Sequence, residues 1–147
     1  MDYYTTSSIK LLSFAQIYTE SISPKLKAID IFLKENTTPF QVYDVSRILE
    51  IETDELSYLM ERHQMTKIDS MNIFTLILSA SSEICQLIGR QFKYGQTNVY
   101  TPEMIATIYH LNIHKVRNAF ADLNIEFATD MELLEIFKRI HIVTFSS

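Results

Sequence analysis

Two stretches of the chain carry the same apolar pattern. When Phe40–Leu78 is laid on Tyr100–Lys138, a shift of 60 residues, the apolar positions coincide without a gap. Val45 meets Ile105, Ile51 meets Leu111, Leu56 meets Val116, and Leu59 with Met60 meets Ala119 with Phe120. Further along, Met65 meets Ile125, and Phe74 with Ile77 meets Leu134 with Phe137. Two positions are identical, Ile48/Ile108 and Met71/Met131. What repeats is the placement of apolar side chains rather than their identity, as expected of one supersecondary unit used twice.

The local signals make that unit helical. Tyr100–Ile125 opens with Thr101 as an N-cap, Pro102 at the first helical position and Glu103 in the first turn. A short helix carrying Ile105, Ala106 and Ile108 is broken by His110-Leu111-Asn112. Asn112 then caps a second helix whose Val116, Ala119, Phe120 and Leu123 recur at i, i+3, i+4, i+7. After each second helix a short, extended stretch is expected, at Met65–Ile68 and at Ile125–Ala128. A third helix follows, capped by Asp69 in the first copy and by Thr129 in the second, where Glu132 completes a capping box.

Helices also precede each copy. Thr6–Thr19 reads as helical, with Ser7 or Ser8 as cap and a face of Ile9, Leu12, Phe14, Ile17 and Tyr18. SISP at 21–24 interrupts it, and Pro24 starts a helix to residue 35 with Leu26, Ile29, Phe32 and Leu33 inward. A further helix spans 81–94 with Ile84, Cys85, Ile88 and Phe92 inward; Gly95 ends it, and 96–98 form a linker. The tail at 139–145 alternates Ile140 and Ile142 with polar residues, which fits an edge strand or a last helical turn. The expected fold is mainly α, two tandem helix-turn-helix units with preceding helices and at most short β segments. The expected division is 1–80 and 81–147.

Composition bounds the rest. Two glycines and three prolines in 147 residues argue against a turn-rich β fold. No apolar run approaches the roughly 18 residues of a membrane span. The N-terminus lacks a basic segment followed by an apolar core, so no signal peptide and no membrane partner are expected. A single cysteine, Cys85, excludes an internal disulfide, and a reducing cytoplasm is the expected setting. The net charge is −5, with seven acids against three bases in 40–78 and six against three in 100–138. An acidic chain is poorly suited to binding phosphates by charge alone.

Thr101–Phe120 resembles the helix-turn-helix pattern of bacterial and phage DNA-binding regulators. Ala106 stands at that pattern's small-residue position, Leu111 at its apolar turn position and Val116 at its branched core position; Ser46, Ile51 and Leu56 hold these places in the first copy. Where the pattern usually has glycine, this chain has His110 and Glu50, which must tolerate a left-handed backbone. The resemblance implies a second helix that reads DNA.

The two copies differ on that helix. The second offers Asn112, His114, Lys115, Arg117 and Asn118, residue types that bind phosphates and read base edges. The first offers Glu52, Thr53, Asp54, Ser57, Tyr58 and Glu61, with Glu50 and Glu55 nearby; these carboxylates repel phosphates and suit a basic protein surface. Arg90 and Lys93, beside Phe92 and Tyr94, read as surface bases next to core aromatics. His110 and His114 have a spacing found in metal sites, but no third ligand accompanies them, so no metal or cofactor is expected. Cys85 reads as a buried structural thiol. No phosphate loop, nucleophile elbow or zinc-protease motif is present, and an enzyme is not expected.

Three readings follow. The first is a small cytoplasmic regulator of transcription that binds double-stranded DNA through the second copy, with dimerisation doubling its contacts. The second is an acidic protein-binding module, such as a phage-type inhibitor of a nucleic-acid-binding protein, acting through Glu52, Asp54, Glu55, Tyr58 and Glu61. The third is a scaffold that serves oligomerisation.

Overall fold

A computed structural model describes residues 8–95 and 98–146. Thr6 and Ser7 of the expected first helix, and Gln96 and Thr97 of the expected linker, lie outside them. In chain order the elements are strand β1 (Ser8–Ser13), helix α1 (Phe14–Ile17), a π-helical turn (Tyr18–Ile22), then α2 (Ser23–Glu35), α3 (Val42–Leu49), α4 (Thr53–Arg62), α5 (Ile73–Ser79), α6 (Glu83–Lys93), α7 (Pro102–Tyr109), α8 (Ile113–Leu123), α9 (Asp130–Lys138) and strand β2 (His141–Ser146). The protein is mainly helical, and its one sheet among the described residues is two-stranded.

The chain forms two compact units, inner and outer by their place in the sequence: an inner unit, Ser23–Gln96, and an outer unit, Met1–Ile22 with Thr97–Ser147. The division expected at residue 80 is therefore displaced. Helix α6 packs on α5 and joins the core of the inner unit through Ile84 and Cys85, with Ile88 against it.

The N-terminal reading also needs correction. Residues 8–13 form a strand, not a helix, pairing antiparallel with β2 from Ser8↔Ser146 to Ser13↔His141. The amide of Phe14 donates to the Ile140 carbonyl at 2.7 Å and closes the pair. A six-residue segment with only Ile9, Leu11 and Leu12 apolar is ambiguous by periodicity alone, and a partner some 130 residues away decides it. The tail is accordingly the strand of its two alternatives. Helix starts only at Phe14, capped by Ser13 rather than by Ser7 or Ser8. The expected break at 21–24 is a π turn leading into α2. Pro24 lacks the N–H that an α-helical bond would use, and a widened turn before it accommodates that loss.

The two copies agree in backbone detail at the 60-residue offset. Helices α3 and α7 coincide end to end. Glu50 and His110 follow them at φ 58° and 55°, both left-handed. The next amide reaches back over the turn in each, Ile51 to Ser46 and Leu111 to Ala106, both at 3.0 Å. The pattern recurs after the second helices, where Gln64 and Asn124 are left-handed and Met65 and Ile125 reach back to Met60 and Phe120. Isolated bridges Phe40↔Ile68 and Tyr100↔Ala128 complete the match. Burial follows suit: Val45/Ile105, Leu56/Val116, Leu76/Ile136 and Ile77/Phe137 are all buried.

Some details differ. Asp69 Oδ1 accepts from the Met71 and Asn72 amides, but these bonds hold a turn, and α5 starts at Ile73. In the second copy, Thr129 and Glu132 form the expected capping box on α9. Phe92 is not a core residue; it is more than half exposed, its ring 5.3 Å from that of Phe74.

The outer unit is closed by aromatic rings. Phe137 on α9 is wholly buried, with ring centroids of Phe14, Tyr18 and Tyr109 at 4.8, 5.1 and 5.0 Å. Phe137→Ala is expected to lower stability by about 3–5 kcal/mol, the cost of emptying a large aromatic site. A left-handed turn costs a non-glycine residue about 1–2 kcal/mol. His110→Gly should therefore raise stability by about 1 kcal/mol after the added backbone entropy is subtracted. Denaturant unfolding of the two variants tests both expectations; a stabilised Phe137→Ala or a destabilised His110→Gly would contradict the packing and turn assignments respectively.

Candidate nucleic-acid interface

Helix α8 begins at a built cap. Asn112 Oδ1 accepts from the amides of His114 at 2.9 Å and Lys115 at 3.2 Å. Its side-chain oxygen is thus committed to the helix start, which sets the first turn in place. Val116, Ala119 and Phe120 are buried, and this rotates His114, Lys115, Arg117 and Asn118 to the exposed side.

Two of these four are tethered. Arg117 Nη2 donates to Glu103 Oε2 on α7 at 2.9 Å, an exposed ion pair. That bond, more than any other contact, holds the Glu103 carboxyl below the usual carboxylate range. Lys115 Nζ donates to the His141 carbonyl at 2.8 Å, where β2 begins. Both tethers lie within one unit and orient the cations on the helix surface. The side chains of His114 and Asn118 make no hydrogen bond among the described residues. Asp122, one turn beyond Asn118, is exposed and acidic.

The equivalent face of α4 has the opposite character. Glu52 occupies the N-cap position without a side-chain bond to the helix. Asp54, Tyr58 and Glu61 are exposed on one stripe at i, i+4, i+7 and make no hydrogen bond or ion pair among the described residues. Glu50, next to the turn, pairs with Lys25 at 3.1 Å.

Glu55 differs from its neighbours. Its carboxylate accepts from both the amide and the hydroxyl of Ser81, at 2.7 and 2.6 Å. Next to it, the Ser82 hydroxyl donates to the Leu49 carbonyl at 2.6 Å and accepts from the Cys85 amide. Glu55 and Ser82 together fasten the start of α6 to α4 and to the end of α3. Glu55 is thus a structural anchor, although by sequence it counts among the partner-binding acids. Nothing in its local sequence marks this role, because Ser81 is 26 residues away.

The remaining candidates separate similarly. Cys85 is buried, and burial raises its thiol pKa, with the Ser82 hydrogen bond acting in the opposite sense. Among the described residues no three His, Cys, Asp or Glu side chains gather as a metal site, and His110 and His114 gain no third ligand. No helix among them is long and apolar enough to cross a membrane. No family model, curated protein or solved structure matches the chain.

The anchoring role of Glu55 has a measurable consequence. Glu55→Ala removes a charge-assisted acceptor from two donors and should cost about 1–3 kcal/mol. Asp54→Ala, one residue away on the solvent side, should change stability by less than about 0.5 kcal/mol. Thermal melts of the two variants test this contrast; equal effects would mean that Glu55 does not anchor α6.

Proposed function

We propose that the protein is a small helix-turn-helix regulatory protein that binds double-stranded DNA through α8. The observation that carries this reading is the exposed set His114, Lys115, Arg117 and Asn118 on a capped helix following a left-handed turn. Arg117 and Asn118 have the paired donors and acceptors that read guanine and adenine edges in a major groove. Lys115 contributes charge toward the phosphate backbone, and Asn112 supports the helix start.

The tethers on the cations do not oppose this role. An exposed ion pair such as Arg117–Glu103 contributes about 0–1 kcal/mol. Releasing a counterion from DNA at each phosphate contact outweighs it at low salt. Glu103 acts as a brake: it orients Arg117 and adds a negative charge that DNA must overcome. With a net charge of −5, the chain gains little from long-range attraction, so binding depends on these local contacts.

A second reading rests on α4. Asp54, Tyr58 and Glu61 form an exposed acidic stripe around an aromatic ring that is 60% exposed, a surface suited to a basic protein partner. Glu55 does not belong to that surface, because Ser81 occupies it.

Gel shift against a pool of random-sequence duplexes at low salt tests the first reading. The wild type is expected to bind, with affinity falling steeply as salt rises. Arg117→Ala with Asn118→Ala should weaken it on the order of 100-fold, given roughly 1–3 kcal/mol per lost base contact. Glu103→Gln should bind a few-fold tighter, and Asp54→Ala should bind like wild type. No shift by the wild type, or equal loss in the Asp54 variant, would overturn the assignment of DNA binding to α8.

A further inference from the structure

Helices α5 and α6 leave an open groove of about 550 Å³ on the inner unit. Leu78 and Phe92 form its apolar walls, Cys85 and Gly89 lie along its floor, and Arg90 and Lys93 stand at its rim. Leu78 and Phe92 are 44% and 57% exposed, and Phe74, against Phe92, is also exposed.

Gly89 makes this groove hard to explain by internal packing. It sits in the middle of α6, where glycine destabilises a helix by about 1 kcal/mol relative to alanine. Its φ is not left-handed, so the backbone does not require glycine. A Cβ added there would meet nothing within 4 Å, so no described residue occupies the space. The helix therefore gives up stability at a floor that no described residue fills.

The outer unit carries an element of matching chemistry. Met131 and Leu134 stand on one face of α9 at 88% and 43% exposure, and Phe127 just before that helix is also exposed. Glu126 and Asp130 flank these apolar groups. An apolar knob edged by carboxylates faces solvent in one unit, and an apolar groove edged by bases faces solvent in the other.

We infer that the α5–α6 groove receives the α9 knob of a second copy of this chain, with Met131 seated over Gly89 and the acids toward Arg90 and Lys93. Each copy carries both the α9 knob and the α5–α6 groove, so copies of the chain associate through this knob-in-groove contact. This association does not depend on the DNA-binding reading.

Sedimentation equilibrium of the full chain over a wide concentration range tests it. The wild type should self-associate. Gly89→Leu fills the groove with a better helix former, and Met131→Lys removes the knob from an exposed position. Each should remain folded by circular dichroism and self-associate at least tenfold more weakly. The decisive arm is the mixture. Gly89→Leu still has a knob and Met131→Lys still has a groove, so an equimolar mixture should form a heterodimer through the one intact contact. A monomeric wild type, unaffected self-association in either variant, or failure of the mixture to associate would each overturn the proposal.

Discussion

The architecture depends on left-handed turns built without glycine. At Glu50 and His110 the backbone reverses its hand for one residue, and the next amide bonds back to Ser46 or Ala106. That geometry turns Ile51 and Leu111 inward and aims the following helix so that Leu56 and Val116 are buried. Gln64 and Asn124 repeat the device at the other end of the second helix, leading to the bridges Phe40↔Ile68 and Tyr100↔Ala128. A left-handed residue with a side chain is unfavourable alone, and burial of the apolar residue after it offsets the cost. Ser46 reinforces the first turn by donating its buried hydroxyl to the Ile51 carbonyl; Ala106 in the second copy has no such group.

Much of this was legible in the sequence because its signals are local. Thr101-Pro102, Asn112 and the Thr129–Glu132 box each state a helix start within four residues, and all three cap as expected. The 60-residue pattern located the buried positions of both copies. What escaped was set by distant partners. Ile9–Leu12 pairs with the C-terminal tail, Glu55 is held by Ser81, and Arg117 by Glu103, and no local periodicity reports such pairings. Phe92 was misassigned for a different reason: the spacing identifies an apolar stripe but not where packing stops, and at Phe92 it has stopped.

One scaffold thus supports two surfaces of opposite sign. The buried positions of α4 and α8 are matched, which frees the solvent side of each helix to diverge. In the second copy it carries an imidazole, two cations and an amide; in the first it carries carboxylates around Tyr58. Fold and function are decoupled at these faces, so the shared turn geometry says nothing about which helix meets a ligand. Charge does, and it favours α8 for a polyanion.

The central claim is that α8, and not its twin α4, is the nucleic-acid face. Backbone amide chemical shifts of the full chain, recorded while a bound duplex is titrated in at low salt, test it most directly. Perturbations should cluster at residues 112–118 and leave 52–61 unchanged. Perturbations centred on 52–61, or none at 112–118, would contradict it.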